Sequence, residues 1–208
     1  MAASDPWPFI HAERKALAAD LGPIPDAQWD TESLCAGWTV RDVLAHMTAA
    51  ARLTPPKFFG SLIGSGFSFE RVQAKGIAAN RGSTPAQTLE NFVEIVESKR
   101  RPPGPVDTML NETIVHAADI RRPLGIAHDI PPEWATRGAD FFRGSNLIIG
   151  GKKRAAGLTF KATDTDWSAG SGPEVEGPAV SILLAISGRA AGLDDLKGEG
   201  VEALRSRM

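Results

Sequence analysis

Glu112 and His116 lie four residues apart within 111–119, a stretch that reads as one helix. Residues four apart on an α-helix share one face, one turn apart, so this carboxylate and this imidazole project on the same side. His46 lies inside a second helical pattern, 39–47, and packing of the two helices would bring all three side chains around one divalent metal ion. Two histidines and one carboxylate leave an open coordination position, as in catalytic rather than structural zinc sites.

The same spacing also has a simpler interpretation. A glutamate and a histidine four residues apart on a helix are commonly an exposed pair of small energetic value. His46 lies beside Val43, Met47 and Ala50 by helical spacing, which predicts that it faces inward. From spacing alone, metal ligation and a surface pair are both open.

Capping residues and prolines mark the helices around these positions. Thr39 is a good N-cap with Asp42 three residues on, and Thr84 precedes Pro85 in the same way. The sequence predicts four main helices, over 6–21, 40–53, from 85, and over 106–122, with a weaker helix over 69–80 and the segment 58–69 as a mobile connection. Four main helices with short connections indicate a four-helix bundle, a fold that often carries metal sites on its inward faces.

The composition changes near Gly150-Gly151, where we predict a domain boundary. A further helix is expected near 131–145, a strand over 158–163 followed by a turn and a Gly/Ser-rich link, and helices over 178–188 and 194–206. The expected fold class is mainly α: a metal-binding helical bundle over 1–150 and a small α+β domain over 151–208.

The charge balance excludes several classes of partner. The 23 Lys and Arg residues against 25 Asp and Glu give a net charge of -2, so no basic field would attract nucleic acid. The longest apolar run, 179–186, is too short to span a bilayer, and the N-terminus lacks the pattern of a signal peptide. With a single cysteine, no internal disulfide can form. We expect a cytoplasmic protein without nucleic-acid or membrane partners, and the oligomeric state is open.

Three motifs resemble those of one family. The sequence Cys-Ala-Gly-Trp-Thr-Val-Arg-Asp-Val-Leu-Ala-His at 35–46 resembles the opening signature of the mycothiol-dependent maleylpyruvate isomerase family, within the DinB-like superfamily. Residues 112–125 resemble its second signature, and 162–189 resemble its C-terminal segment. One departure is Ala36, which stands where the family usually has proline and touches no proposed ligand.

The resemblance implies a DinB-like four-helix bundle that holds a divalent metal, with zinc favoured over nickel, iron or manganese. The implied ligands are His46 from the second helix and the pair Glu112 and His116 from the fourth. It also implies mycothiol as cofactor and therefore an actinobacterial host. Asp119 and Arg189 match two further family positions near the thiol or the substrate, and we take them as candidate catalytic residues.

A metal-activated thiol would explain this combination. A free thiol has a pKa of about 8.5, and coordination to zinc deprotonates it. The thiolate can add to an activated double bond, permit rotation and leave, which is a cis–trans isomerisation, or it can stay attached in an S-transfer. Asp119 would orient His116 or a polar group of the cofactor, and Arg189 would bind a substrate carboxylate. The expected partners are a small electrophilic substrate and a low-molecular-weight thiol.

Two other functions compete with a thiol enzyme. The chain can be a non-catalytic DinB-like metal-binding or stress protein, or a metal-dependent hydrolase with Asp119 as the base for an activated water. The individual residues also have simpler interpretations. Asp119 can pair with a nearby arginine, Arg189 can neutralise a helix C-terminus, Cys35 fits a small buried hydrophobic residue better than a reactive thiol, and Trp38 fits a packing role.

Overall fold

The computed structural model describes residues 4–146 and 149–208. The chain divides into two compact units, Met1–Ala127 and His128–Met208. Each unit is mainly helical, and the second also contains a three-stranded sheet. The predicted fold class, a helical bundle followed by a small α+β segment, agrees with this architecture. Among the described residues, no helix combines the length and the hydropathy needed to cross a membrane.

Six helices build the first unit. They are α1 (Trp7–Leu21), α2 (Val40–Arg52), α3 (Pro55–Ile63), α4 (Phe69–Asn80), α5 (Pro85–Val93) and α6 (Asp107–Arg121), with a 3-10 turn at Asp26–Asp30. α2 packs against α4, α5 and α6, and α1 packs against α5 and α6. The helices that carry His46 and the Glu112–His116 pair are therefore neighbours, as a shared site requires.

The core of the first unit is formed by apolar side chains from α1, α2, α5 and α6 and the turns between them. Its buried members are Leu17, Leu21, Trp29, Val40, Val43, Leu44, Met47, Ala51, Phe92, Ile95, Ala117 and Ile120. On α2 these residues recur with helical spacing, which gives the helix one broad apolar face. The burial of that face fixes the rotation of α2 about its axis, and thereby the direction of His46.

α2 begins with the predicted capping box. Thr39 Oγ1 accepts a hydrogen bond from the backbone N–H of Asp42 at 3.2 Å, and Asp42 Oδ2 accepts one from the backbone N–H of Thr39 at 3.1 Å. Each bond satisfies a donor that the helix itself leaves unpaired. These two bonds stabilise the first turn of the helix that bears His46.

Buried ion pairs join α1 to α6. The Arg121 guanidinium, which is 3% exposed, pairs with Glu13 and, at 2.7 Å from Nε to Oδ2, with Asp20. Arg14 is also buried and donates from Nη1 to the carbonyls of Ile95 and Ser98 at 3.3 and 3.0 Å. Burial lowers the pKa of Arg14 to about 10, although the charge of Glu112 partly opposes that shift. These cations hold the outer helices against the core, because removing one partner of a buried pair leaves an uncompensated charge.

The segment 58–69, expected to be a connection without a helix, contains most of α3, so that part of the prediction is wrong. Pro55 begins α3 after Thr54, since proline fits the first turn of a helix, where its missing N–H is not needed. The prolines that end α2 therefore also start the next helix. None of the residues of α3 is buried, and Phe59, Ile63, Phe67 and Phe69 in this region are each more than half exposed.

The second unit surrounds one apolar helix. Its elements are α7 (Pro132–Gly144), α8 (Gly151–Ala155), β1 (Thr159–Ala162), β2 (Ser168–Gly170), β3 (Glu174–Gly177), α9 (Ala179–Ile186), a 3-10 segment (Ala190–Asp195) and α10 (Val201–Arg205). The sheet order is β2-β1-β3, with β1 antiparallel to β2 and parallel to β3. α9 is buried on nearly all sides and contacts α7, α8, β1, β3 and the 3-10 segment. A Cβ on Gly192 would lie 2.7 Å from the backbone of α9, so only glycine permits this close approach.

The two units meet earlier in the chain than the predicted boundary at Gly150-Gly151. Ala135, Ala139 and Phe142 form a buried face on α7, and α7 packs against α9. This face assigns α7 to the second compact unit, whereas the composition change near 150 coincides only with the start of α8. A division of the chain into folding domains at 150 stays a prediction. Two strands, β2 and β3, occupy the stretch expected to be a Gly/Ser-rich link.

The cap of α2 leads to a stability prediction. We expect Thr39→Ala to lower the free energy of unfolding by about 1 kcal/mol, because it removes the side-chain acceptor of the capping box. Thr54→Ala is the matched control, since Thr54 is also an N-cap but makes no capping bond with its side chain. Urea denaturation measures the free energy of unfolding of the wild type and of both variants. Equal losses in the two variants would contradict a stabilising role for the capping box.

Candidate metal centre

Three ligand-type side chains converge between α2 and α6. His46 Nε2 lies 3.2 Å from Glu112 Oε1, and His116 Nε2 lies 3.5 Å from Glu112 Oε2. One donor atom from each residue lies within 4.8 Å of the other two. The three side chains are 12–18% exposed.

These distances fit a single bound metal ion. Nitrogen and oxygen ligands about 2.1 Å from a tetrahedral metal are separated from each other by about 3.4 Å. Glu112 Oε1 is also buried without a hydrogen bond of acceptable geometry, even though His46 Nε2 is close to it. A buried carboxylate oxygen without a hydrogen bond is costly, and a cation between these ligands would satisfy it.

The remaining ring nitrogen of His116 is held by Asp119. His116 Nδ1 lies 2.8 Å from Asp119 Oδ2, and the Asp119 side chain is fully buried. An ionised carboxylate can only accept, so the hydrogen bond places the proton on Nδ1 and leaves the lone pair of Nε2 free to bind a metal. Carboxylates commonly fix ligating histidines in this way.

Cys35, in the loop before α2, completes this hydrogen-bonded group. Its Sγ donates to Asp119 Oδ2 at 3.0 Å and lies 3.7 Å from His116 Nδ1. Cys35, His116 and Asp119 are ligand types and lie close enough together to be considered as a second metal site. However, the separations of 2.8 and 3.0 Å are those of hydrogen bonds and are shorter than the spacing of two ligands on one metal. The geometry therefore favours a supporting network over a second centre.

Burial and mutual charge shift the protonation of the central pair in opposite directions. Burial alone would raise the pKa of Glu112, but the His116 and His46 imidazoles lower it well below its ordinary value. Burial alone would lower the pKa of His116, but the Glu112 carboxylate and the hydrogen bonds to Asp119 and Cys35 raise it well above its ordinary value. Both shifts show that the site favours a cation next to Glu112, whether that cation is a protonated imidazole or a metal ion.

The two histidines are also fixed by ring contacts. The Trp38 ring lies 4.9 Å from the His46 ring between centroids, tilted by 50°. The His46 and His116 rings are 5.0 Å apart in an edge-to-face arrangement. Trp38 therefore contacts a candidate ligand in addition to the core packing predicted for it.

Of the predicted site residues, the structure brings together His46, Glu112, His116 and Asp119, all in the first unit. Arg189 lies in the second unit at the start of the 3-10 segment that follows α9. It is half-buried, and its Nη1 donates to the carbonyl of Ser187 at 3.1 Å.

Three residues at or near the site were not predicted to act there. Cys35 was interpreted as a small buried hydrophobic residue; it does pack against the core, but its thiol also contacts Asp119. Trp38 contacts His46, and the buried Arg14 interacts electrostatically with Glu112. The available signal for Trp38 is its position directly before the N-cap of the helix that bears His46, and for Cys35 its place in the loop that leads to this N-cap. Arg14 carries no such signal in the sequence.

The pKa shifts give a prediction for the protein freed of metal with a chelator. We expect His116 to titrate well above 6.5, and Glu112→Gln to lower its pKa by removing the main charge that raises it. Because the folded pKa is raised, the stabilisation from His116 is fully present below pH 6.5 and is lost as the pH rises through the folded pKa. NMR titration of the imidazole protons measures the pKa of His116 in the wild type and in Glu112→Gln. The exposed Glu97→Gln variant is the control, and an equal shift of His116 in that variant would contradict the local cause.

Comparisons with known proteins agree with this architecture. Residues 10–101 match the family profile described as mycothiol maleylpyruvate isomerase N-terminal domain, a range that includes His46 and ends before Glu112. A crystal structure of a mycothiol-dependent maleylpyruvate isomerase is similar with a TM-score of 0.63 and 19% identity, over 93% of this chain and 91% of that chain. A structure of a His-to-Ala mutant of a mycothiol-dependent maleylpyruvate isomerase gives the same TM-score and coverage at 18% identity.

At such low identities the structural likeness establishes the fold alone: a mainly helical chain with a small C-terminal α+β segment, shared with these two structures. A search of curated protein sequences gives no significant match. The resemblance that the sequence motifs indicate is confirmed to this extent: residues 10–101 match the profile of the mycothiol maleylpyruvate isomerase N-terminal domain, and the fold is shared with the two isomerase structures.

Proposed function

We propose that this protein is a metal- and mycothiol-dependent enzyme that isomerises a small unsaturated acid such as maleylpyruvate from cis to trans. The observation that carries the proposal is the convergence of the ligand-type atoms of His46, Glu112 and His116, with one imidazole oriented by a buried carboxylate. The family match and the shared fold support the choice of a thiol-dependent isomerase.

The ligand set favours zinc. Two imidazole nitrogens and one carboxylate are typical of catalytic zinc sites, which keep one position open for water, cofactor or substrate. When bound, the metal supplies a Lewis acid that stabilises the thiolate form of the cofactor, a nucleophile suited to reversible addition to an activated double bond.

The side chains around the ligands prepare this site. Glu112 contributes the negative charge that neutralises part of the cation, and its low pKa keeps it ionised at neutral pH. Asp119 keeps the Nδ1 proton of His116 in place, which holds the ring orientation and leaves Nε2 as the ligand atom. Arg189 is proposed to bind a substrate carboxylate, since its guanidinium matches that group with two parallel hydrogen bonds.

One observation separates this proposal from a hydrolase. A metal-dependent hydrolase needs a general base within reach of the activated water, and Asp119 was the residue considered for that role. Asp119 is fully buried, and its Oδ2 already accepts from His116 and Cys35. A carboxylate engaged in this way is a poor base for a water molecule, so the geometry favours the thiol enzyme.

Metal content tests the ligand assignment. We expect one metal ion per chain in protein purified without chelator or histidine tag. We expect Glu112→Ala and His116→Ala to lose that ion, because each variant keeps only two of the three ligands. His11→Ala is the matched control, since His11 lies on α1 and is not one of the converging residues. Mass spectrometry of intact and digested samples measures the stoichiometry. A wild-type protein that takes up no zinc would remove the basis for any metal-dependent activity and favour a non-catalytic bundle.

Turnover tests the reaction and the role of Arg189. We expect maleylpyruvate to isomerise only when both zinc and mycothiol are present. Arg189→Met should raise the KM about 10- to 100-fold, as expected from roughly 1.5–3 kcal/mol for a hydrogen bond to a charged group. Arg143→Met is the control, because Arg143 pairs with Asp140 at 2.7 Å. Turnover without thiol would contradict the proposed chemistry, and an unchanged KM in Arg189→Met would remove Arg189 from carboxylate binding.

A further inference from the structure

We propose that the loop 33–38, called here the positioning loop, aligns both histidine ligands of the metal centre, with Cys35 acting on His116 through Asp119 and Trp38 acting directly on His46. The inference rests on the proposed metal site and adds two positioning residues to it. Neither residue needs to touch the metal, the thiol cofactor or the substrate for this role.

The positioning loop has a defined shape of its own. Ser33 Oγ donates to the carbonyl of Trp38 at 2.8 Å and accepts from the backbone N–H of Cys35 at 3.1 Å. The backbone N–H of Ser33 also donates to the Trp38 carbonyl at 2.9 Å, which closes the loop. Gly37 has φ +78°, a left-handed conformation that glycine adopts without the strain a side chain would bring. The loop can therefore act as a rigid support.

The loop is attached to both histidine-bearing helices. It leads directly into Thr39, the N-cap of α2, and the backbone N–H of Leu34 donates to the carbonyl of Asp119 on α6 at 3.2 Å. A displacement of the loop would thus disturb the start of α2 and the last turn of α6. This double attachment links the relative position of α2 and α6 to a single short segment.

Cys35 acts on the α6 side. Its thiol donates to Asp119 Oδ2, the same oxygen that accepts from His116 Nδ1. Two donors converging on one oxygen hold the carboxylate in the orientation that suits the imidazole. A thiol is a weak donor, so it can orient Asp119 without competing strongly with His116 for the shared oxygen. The sulfur is 3.7 Å from Nδ1, which also limits rotation of the ring.

Trp38 acts on the α2 side. Its large ring packs against the His46 ring at 4.9 Å and is itself packed on the core of the first unit. A tilted aromatic contact of this kind favours particular orientations of the imidazole. His46 Nε2 is then directed towards Glu112 Oε1, 3.2 Å away.

Zinc affinity measured by competition with a chromophoric chelator tests this role. We expect Cys35→Val, which keeps the volume but removes the donor, to weaken zinc binding towards the lower end of the roughly 10- to 100-fold loss seen for hydrogen-bond partners of metal ligands. Cys35→Ser, which keeps a donor, should restore most of the affinity. Trp38→Leu should weaken binding, whereas Trp7→Leu, which removes a tryptophan from α1 that contacts His11, should not.

A double-mutant cycle separates positioning from general destabilisation. If Cys35 acts through Asp119, then Cys35→Val has little further effect on zinc affinity once Asp119→Ala is present. Additive losses would overturn the inference for Cys35. Cobalt substitution adds a spectroscopic readout: we expect visible bands without sulfur-to-metal charge transfer, and a charge-transfer band that disappears in Cys35→Ser would overturn the positioning role by making Cys35 a ligand.

The same measurements distinguish failure of the inference from failure of the proposed function. If the wild-type protein binds no zinc, the proposed function fails and the inference fails with it. If the wild type binds zinc and Cys35→Val and Trp38→Leu bind it equally well, the metal site stands and the positioning loop is overturned. Selective loss in these two variants, with rescue by Cys35→Ser, supports the inference.

Discussion

The packing of α2 against α6 is the interaction on which the candidate site depends. It buries polar groups from both helices at one level: His46 on one side, Glu112 and His116 on the other. Burying such groups is unfavourable unless they are paired, so each must find a partner across the helix interface. The apolar face of α2 holds the two helices together, and the polar cluster determines what can bind between them.

The helices and the shared face of Glu112 and His116 could be predicted because their signals are local. Capping residues and prolines mark the ends of α2 and α5, and four-residue spacing places Glu112 and His116 on one face. The choice between an exposed pair and a shared site could not be made from spacing, because it depends on which helices become neighbours. The family motifs indicated the same arrangement, and the structure shows the three side chains together.

Several features that the sequence does not reveal depend on contacts between separate elements of the fold. Cys35 contacts Asp119, which is 84 residues away in the sequence, and no local sequence pattern predicts that contact. The short strands β2 and β3 are rich in glycine and have weak alternation, so only pairing with β1 reveals them. α7 belongs with α9 because of its buried face, and the change of composition near 150 gave no sign of this. α3 was missed because its prolines were interpreted as an end instead of a start.

The exposed helix α3 has a consequence for the cooperativity of the first unit. Because none of its residues is buried, opening α3 exposes little additional apolar surface and costs little free energy. Its backbone amides should therefore exchange with solvent deuterium through local openings, while those of α2, whose apolar face lies in the core, require a much larger unfolding event. Only two residues separate α2, which bears His46, from α3, yet α3 can open without unfolding α2.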